Sequence, residues 1–317
     1  ARSQVQKNWD MVAKPLDGMG LFEKLISKIG AITGESQIHL EKKAVLVMCA
    51  DNGIVEEGIS QSGQEVTAAV AKEMTKGLSS VGKMAASIGT DVIPIDIGIN
   101  TREVIPGLLP RSVRKGTRNF RKEPAMTPEE AWQAIHTGIS LVAEYKEKGY
   151  QILATGEMGI GNTTTSSAVI ASLLKCEAEQ VTGRGAGLSD AGLIRKQQVI
   201  REAIEKYHLY EAEPFEVLRT VGGLDIAGLA GVCIGGAVHH VPIVLDGVIS
   251  FAAALVAERM YPKDVPCKVV KPAHLFPELP YLVLPVVPAD ICCELQGHHH
   301  THTDPLIVRQ YVAEAPA

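Results

Sequence analysis

Residues able to hold an anion and a proton cluster where strand-like runs give way to helical ones. The most informative stretch is TGEMGIGNTTTSSA, positions 155–168. Gly156, Gly159 and Gly161 let the backbone approach a ligand closely. Asn162, Thr163 and Thr164 then open a helix, where amides, hydroxyls and the helix dipole stabilise a phosphate. The spacing matches neither the dinucleotide GxGxxG nor the P-loop GxxxxGK[ST], so both chemistries are disfavoured. Glu157 is an odd neighbour for a phosphate unless it orients a sugar hydroxyl or meets a cationic ring. A plain strand-to-helix turn is the competing explanation.

Three further stretches carry candidates. In TGRGAGLSDAGLIRKQQVI, positions 182–200, Gly183, Gly185 and Gly187 precede a helix, and Arg184 or Lys196 could reach the same anion. An isolated helical lysine such as Lys196 otherwise reads as a solvated surface residue. In ADNGIVEEG, positions 50–58, a strand delivers Asp51 and Asn52 at its end; an Asx-turn accounts for them equally well. In the segment 221–257 a Gly-rich helix and a strand lead to Asp246, for which capping of the next helix is the expected role.

The elements that must position these residues follow from alternation. Ala44–Ala50, Val92–Ile97, Gln151–Thr155 and Pro242–Leu245 read as buried strands. Glu65–Ser87, Pro128–Gly149, Thr163–Leu174, Ser189–Tyr207 and Gly247–Met260 read as helices. Such alternation favours an α/β fold with a parallel, doubly wound sheet and helices on both faces. Thr127-Pro128-Glu129-Glu130 supplies a cap, a first-turn proline and early acids, and Ser189-Asp190 opens another helix. Residues 1–40 look helical with a Gly-rich break, and are expected to pack with 261–317 as a small domain beside a large domain of 41–260. Prolines at 262, 266, 272, 277, 280, 285 and 288 rule out a long regular helix in that tail.

Bulk properties agree. The 317 residues are 46% hydrophobic, 21% charged and only 4% aromatic, a profile suited to a parallel sheet with a substantial core. A net charge of -5 supplies no field for a polyanion, so no nucleic-acid partner is expected. The local basic run Arg111, Arg114, Lys115, Arg118, Arg121 and Lys122 reads as a solvated loop face, or as a rim attracting a phosphorylated small molecule. Six irregularly spaced cysteines, at 49, 176, 233, 267, 292 and 293, suit reduced thiols in the cytoplasm. The polar N-terminus lacks the grammar of a secretory signal. Asp225 and several glycines interrupt the longest apolar run, Gly222 to Val238, so no membrane partner is expected.

Taken in order, KKAVLVMCADNGIVEEGIS, QEVTAAV, VIPIDIGIN, GEMGIGNTTTSSA, GRGAGLSDAGLIRK, VGGLDIAGLAG and PIVLDGVISFAAALVA resemble the nicotinate-nucleotide:dimethylbenzimidazole phosphoribosyltransferase family, block after block. KPLDGMGLFEKL is similar to that family's N-terminal loop, and the resemblance covers roughly residues 5–260. It implies a Rossmann-like large domain, a smaller domain from both chain ends and a homodimer. It also implies a reaction that needs no metal or cofactor. Dimethylbenzimidazole attacks the ribose C1′ of nicotinate mononucleotide, and nicotinate leaves with inversion to give α-ribazole phosphate. By the same resemblance Gly156, Glu157, Gly159, Asn162, Thr163 and Thr164 hold the phosphate and ribose, and Gly183, Arg184, Gly185 and Lys196 complete the phosphate site. Ser62 matches a position facing the benzimidazole, and Val70 stands where some members carry glutamine.

The tail departs from the family. The SHxSxEP block is only echoed by Ala273-His274-Leu275 with Glu278, and LGEGTGA, whose glutamate is the expected general base, is missing. Its neighbourhood reads DICCELQGHHHTHTDPL, which leaves Glu294 as the candidate base by position. A nucleotide-binding relative that has lost its base is the rival reading. The cluster of Cys292, Cys293 and the histidines at 298, 299, 300 and 302 could instead hold a metal, although consecutive histidines cannot all face one ion.

Overall fold

The computed structural model describes residues 1–261. In chain order these form α1 (Arg2–Asp10), α2 (Leu21–Thr33), β1 (Lys43–Ala50), a 3-10 turn (Gly53–Glu57), α3 (Glu65–Thr75), α4 (Ser80–Ser87), β2 (Asp91–Gly98) and β3 (Leu109–Pro110). There follow α5 (Pro128–Glu147), β4 (Ile152–Met158), α6 (Asn162–Leu174), α7 (Ala178–Val181), α8 (Asp190–Lys206), α9 (Pro214–Val221), α10 (Leu224–His239), β5 (Ile243–Val244) and α11 (Val248–Met260).

The strands pair in the order β3-β2-β1-β4-β5, with every pairing parallel, so this is the α/β sheet expected from the alternation. On β1, the central strand, Val45 sits between Val92 and Ala154, and Val47 between Pro94 and Gly156. Alternate residues therefore face opposite layers. Leu46, Met48, Ile95, Ile97 and Leu153 point into the main core, shared with α5, α10 and α11. Val47, Cys49 and Ile99 pack instead with Ala71 and Met74 of α3.

α5 and α10 approach until glycine is required. A methyl group on Gly138 would lie 2.0 Å from the Gly228 carbonyl oxygen, and one on Gly231 would lie 2.0 Å from that of Ile135. Thr127 begins α5 with a full capping box: its hydroxyl accepts from the Glu130 amide and Glu130 accepts from the Thr127 amide. Ser189 caps α8 through the Gly192 amide.

Three local expectations need correction. The helix predicted over 65–87 is two helices, because α3 stops where Gly77 takes φ +68° and the Gly77 and Leu78 amides close on the Met74 and Glu73 carbonyls. Ser79 then caps α4 through the Gly82 amide. Asp246 does not cap α11: Gly247 stands at that position and makes no side-chain cap. The strand β3, absent from the sequence reading, has two residues and is too short to show a period.

Five of the six side chains of the basic run pair with neighbouring carboxylates. Arg111 pairs with Glu144, Arg114 and Arg118 with Glu130, Arg121 with Glu57 and Glu202, and Lys122 with Glu56. That run is a solvated, ion-paired face. Residues 1–40 are helical around a break, as read from the sequence, with α1 and α2 packed on each other. The remainder of the small-domain expectation, with Glu294, the Ala273–Leu275 echo and the Cys/His cluster, lies outside the described residues. Among the described residues no helix is long and apolar enough to cross a membrane.

Candidate active site

The functional candidates gather at the carboxyl edge of the sheet, where open α/β folds bind ligands. β4 ends in Gly156-Glu157-Met158, and the chain turns through Gly159 and Gly161 into α6. Gly161 takes φ +94°, a left-handed conformation that a side chain would strain. Gly159 has no room for one, since a methyl group there would lie 2.4 Å from the Ala50 carbonyl oxygen and 2.7 Å from Asp225 Oδ2. The turn is held further by the Thr67 hydroxyl, which accepts from the Ile160 amide at 3.1 Å.

α6 is encased. Every residue from Thr164 to Ser172 is buried, with α7, α8, α9 and α11 packed around the helix. Some of its hydroxyls bond within the helix, Thr165 donating to the Asn162 carbonyl and Ser172 to that of Ala168, while those of Thr164 and Ser166 are buried without a hydrogen-bond partner. At the open N-terminal end no side chain caps the helix, and the Lys196 ammonium stands beside it. Lys196 Nζ donates to Thr163 Oγ1 at 2.9 Å and to the Gly183 carbonyl at 3.2 Å. A methyl group on Gly185 would lie 2.9 Å from Thr163 Oγ1 and 3.6 Å from Lys196 Nζ, so the second glycine loop closes over the same spot.

Lys196 is 1% exposed, which corrects the solvated reading. Burial pulls its ammonium down to about 8 from the ordinary 10.5. Held by a hydroxyl and a carbonyl, this cation suits an anionic ligand. Arg184 does not join it. That guanidinium pairs with Asp190 and donates to the Leu188 carbonyl at 2.9 Å.

Beside the cationic spot lies an anionic one. Asn162 Nδ2 donates both to Glu157 Oε2 and, at 3.1 Å, to Asp225 Oδ2. Burial first, then repulsion from Asp225 and Asp246, pushes the Glu157 carboxyl up to about 7 against the hydrogen bond from Asn162. Burial likewise lifts Asp225 to about 6, with Asp51 adding repulsion. Asp51 is no Asx-turn: its Oδ2 accepts from the Asn100 amide at 2.8 Å, tying the end of β1 to the loop after β2. Sequence reasoning missed Asp225 as a functional residue. Its signal was a lone carboxylate inside the apolar run LDIAGLAG, which a buried helix tolerates only with a partner.

From Glu157 a cleft of about 690 Å³ opens between the sheet and α3 and α4. Val45, Val47, Val70, Met74 and Val81 give it apolar walls, while Gly156, Glu157 and Asp246 form its polar end. Ser62 is partly buried in the turn before α3 and does not line the cleft; the neighbouring Gln61 donates to the Gly187 carbonyl, joining that turn to the second glycine loop.

The chain thus sets an anion site, a carboxyl pair and an apolar cleft side by side. A phosphoribosyltransferase family model matches residues 1–274. The nicotinate-nucleotide–dimethylbenzimidazole phosphoribosyltransferase of Acetivibrio thermocellus is 49% identical over 259 residues, spanning 82% of this chain and 74% of its own. The chain belongs to that family.

Other members of the nicotinate-nucleotide–dimethylbenzimidazole phosphoribosyltransferase family agree. One from Clostridium perfringens strain ATCC 13124 is 44% identical over 253 residues, or 80% of this chain and 70% of the relative. The crystal structure of CobT from Thermus thermophilus superposes with a TM-score of 0.78 at 37% identity, covering 82% of this chain and 78% of that one.

Proposed function

We propose that this phosphoribosyltransferase moves the phosphoribosyl group of nicotinate mononucleotide onto 5,6-dimethylbenzimidazole, giving α-ribazole phosphate and nicotinate for the lower ligand of cobalamin. The observation that carries this reading is the adjacency of opposite polarities. Lys196 and the α6 N-terminus suit a phosphate, and Glu157 stands at the mouth of an apolar cleft that suits a flat aromatic base.

The chemistry asks little beyond positioning. An azole nitrogen of the base forms a bond to C1′ as the C1′–N bond to the pyridinium breaks; that electron pair goes to the ring nitrogen, so the nicotinate ring leaves without its positive charge. The azole N–H proton must then be taken up, and a carboxyl near 7 is well matched to that task. Gly156, Gly159, Asn162, Thr163, Thr164, Gly183, Gly185 and Lys196 are assigned to nucleotide binding, Asp51 to bracing the strand ends, and Asp246 to the cleft mouth. Ser62 and Arg184 take roles at the rim, and Glu294 lies outside the described residues. In the same reading residues 1–40 belong to a small domain apart from 41–260, and the reaction is cytoplasmic, as the free thiols Cys49, Cys176 and Cys233 suggest. Two copies assemble; the exposed Met11, Leu16, Met19, Leu21 and Phe22 on the α1–α2 hairpin offer an apolar surface for it.

The test is turnover by the full chain with both substrates, following nicotinate and α-ribazole phosphate by chromatography. Product should form, and Glu157→Gln should slow it by about 10²-fold or more, the usual worth of a positioned acid or base. The acidic limb of the wild-type profile should lie near pH 7, because Glu157 must be ionised to take the proton. Tight nucleotide binding without product would instead assign the chain a binding role.

A further inference from the structure

We propose that Asp225 is a positioning residue for the transfer, taking one hydrogen of the Asn162 carboxamide and so committing the other to Glu157. This rests on the role given to Glu157 above.

A carboxamide nitrogen carries two hydrogens fixed in one plane. In Asn162 they are divided between Asp225 Oδ2 and Glu157 Oε2, so the orientation of the amide is set from both sides. Asp225 is itself immobilised. It is fully buried in the first turn of α10, where the helix dipole favours an anion, and its Oδ1 accepts from the Ile226 amide at 2.9 Å. Gly159 packs against its other oxygen. With no exposed surface Asp225 cannot touch substrate. It acts across Asn162, at the junction of α6, α10 and the end of β4.

The groups facing Glu157 are few. Asp225 comes from α10, Asp246 from the connection into α11, and the buried Cys49 thiol from β1; Asp51 in turn acts on Asp225. All are acidic groups, so removing the Asp225 charge must ease ionisation of Glu157.

Two substitutions separate the charge from the hydrogen bond. Asp225→Asn leaves one oxygen for the Asn162 amide and places an NH₂ toward Asn52 Oδ1, a buried acceptor with no hydrogen-bond partner, at the loss of the bond from the Ile226 amide. A methyl group on Gly223 would lie 2.3 Å from Asp225 Oδ1 and 2.5 Å from Asn52 Oδ1, so the two oxygens face each other across that glycine. Asp225→Leu removes both charge and acceptor. For Asp225→Asn, kcat at the optimum should stay within about fivefold of wild type, with the acidic limb about one pH unit lower. Asp225→Leu should lose roughly 30-fold or more in kcat with KM for the nucleotide little changed, as expected when only transition-state positioning is lost.

A second readout does not need turnover. In protein labelled with ¹³C at the glutamate carboxyls, the resonance absent from Glu157→Gln reports Glu157 directly, and Asp225→Asn should move its titration to lower pH. Unmoved titration, or equal losses in the Asn and Leu variants, would overturn the inference even if wild-type transfer is confirmed. A shifted titration in a chain that forms no product would keep the coupling and sink the transfer reading instead.

Discussion

Lys196 shows what a buried charge is for. An ammonium held by one hydroxyl and one carbonyl costs the fold something, a cost that an anion in the proposed phosphate site would relieve. Its folded value of about 8 lies below the ordinary 10.5, so the unfolded chain holds the proton more tightly through that window. The contribution of this group to stability is therefore lost as pH falls from about 10.5 to about 8. Lys196→Met should flatten that slope in a series of thermal melts while weakening nicotinate mononucleotide binding by roughly 10- to 100-fold, the range for a charge-assisted hydrogen bond. Calorimetry reads the second effect; unchanged affinity would remove Lys196 from the phosphate site. The residue's type and spacing were legible in the chain. Its burial was not, because that depends on a glycine loop 11 to 13 positions earlier folding over it. Glu157 was legible for the opposite reason: an acid in a phosphate-type loop is conspicuous by itself. Asp225 escaped because its partner lies 63 positions away, a separation no local pattern encodes.

At the scale of elements the same contrast holds. Where a boundary is written in short-range chemistry, as at Thr127-Pro128 or Ser189, the sequence places it correctly. The break inside 65–87 is also written, in Gly77 and Ser79, but the apolar period running through it dominates the reading. Asp246 fails as a cap because Gly247 intervenes before α11 begins. Of the glycines in LDIAGLAGVCIGGA, Gly231 and Gly235 face α5, whereas Gly228 faces Met48 and Ile97 of the sheet and Gly236 faces Ile243 of β5. Gly231→Ala should therefore destabilise the protein by about 1–3 kcal/mol or more, since a methyl group 2.0 Å from the Ile135 carbonyl must push two helices apart. Urea denaturation checks this; a change under about 0.5 kcal/mol, the range of an inert surface substitution, would mean the helices yield freely there.

At the scale of the whole molecule, the described residues carry every group assigned to the nucleotide and leave several apolar side chains near the cleft exposed. Val244 is 40% exposed at the end of β5, and Met84 and Ile88 beside the cleft are 71% and 64% exposed. The match to the Acetivibrio relative spans 74% of that protein's length, and Glu294, the candidate base by position, follows Tyr261 in the chain. Binding and turnover should therefore separate when the chain is cut after Tyr261. Nucleotide affinity should stay within about threefold, because Lys196, the α6 N-terminus and the Asn162 bridge all precede the cut. Transfer should weaken markedly. A truncated protein as fast as the full chain would show that residues 1–261 suffice for catalysis.

The encasement of α6 has a consequence in time. A helix walled in by four others cannot wait for its ligand to shape it, and the Thr163 hydroxyl and Lys196 ammonium at its mouth are in place before any nucleotide arrives. Little conformational freedom remains there to surrender, so in the proposed site the tempo of encounter should be set by how fast a nucleotide finds the opening between the two glycine loops, and the tempo of escape by how long Lys196 keeps its grip.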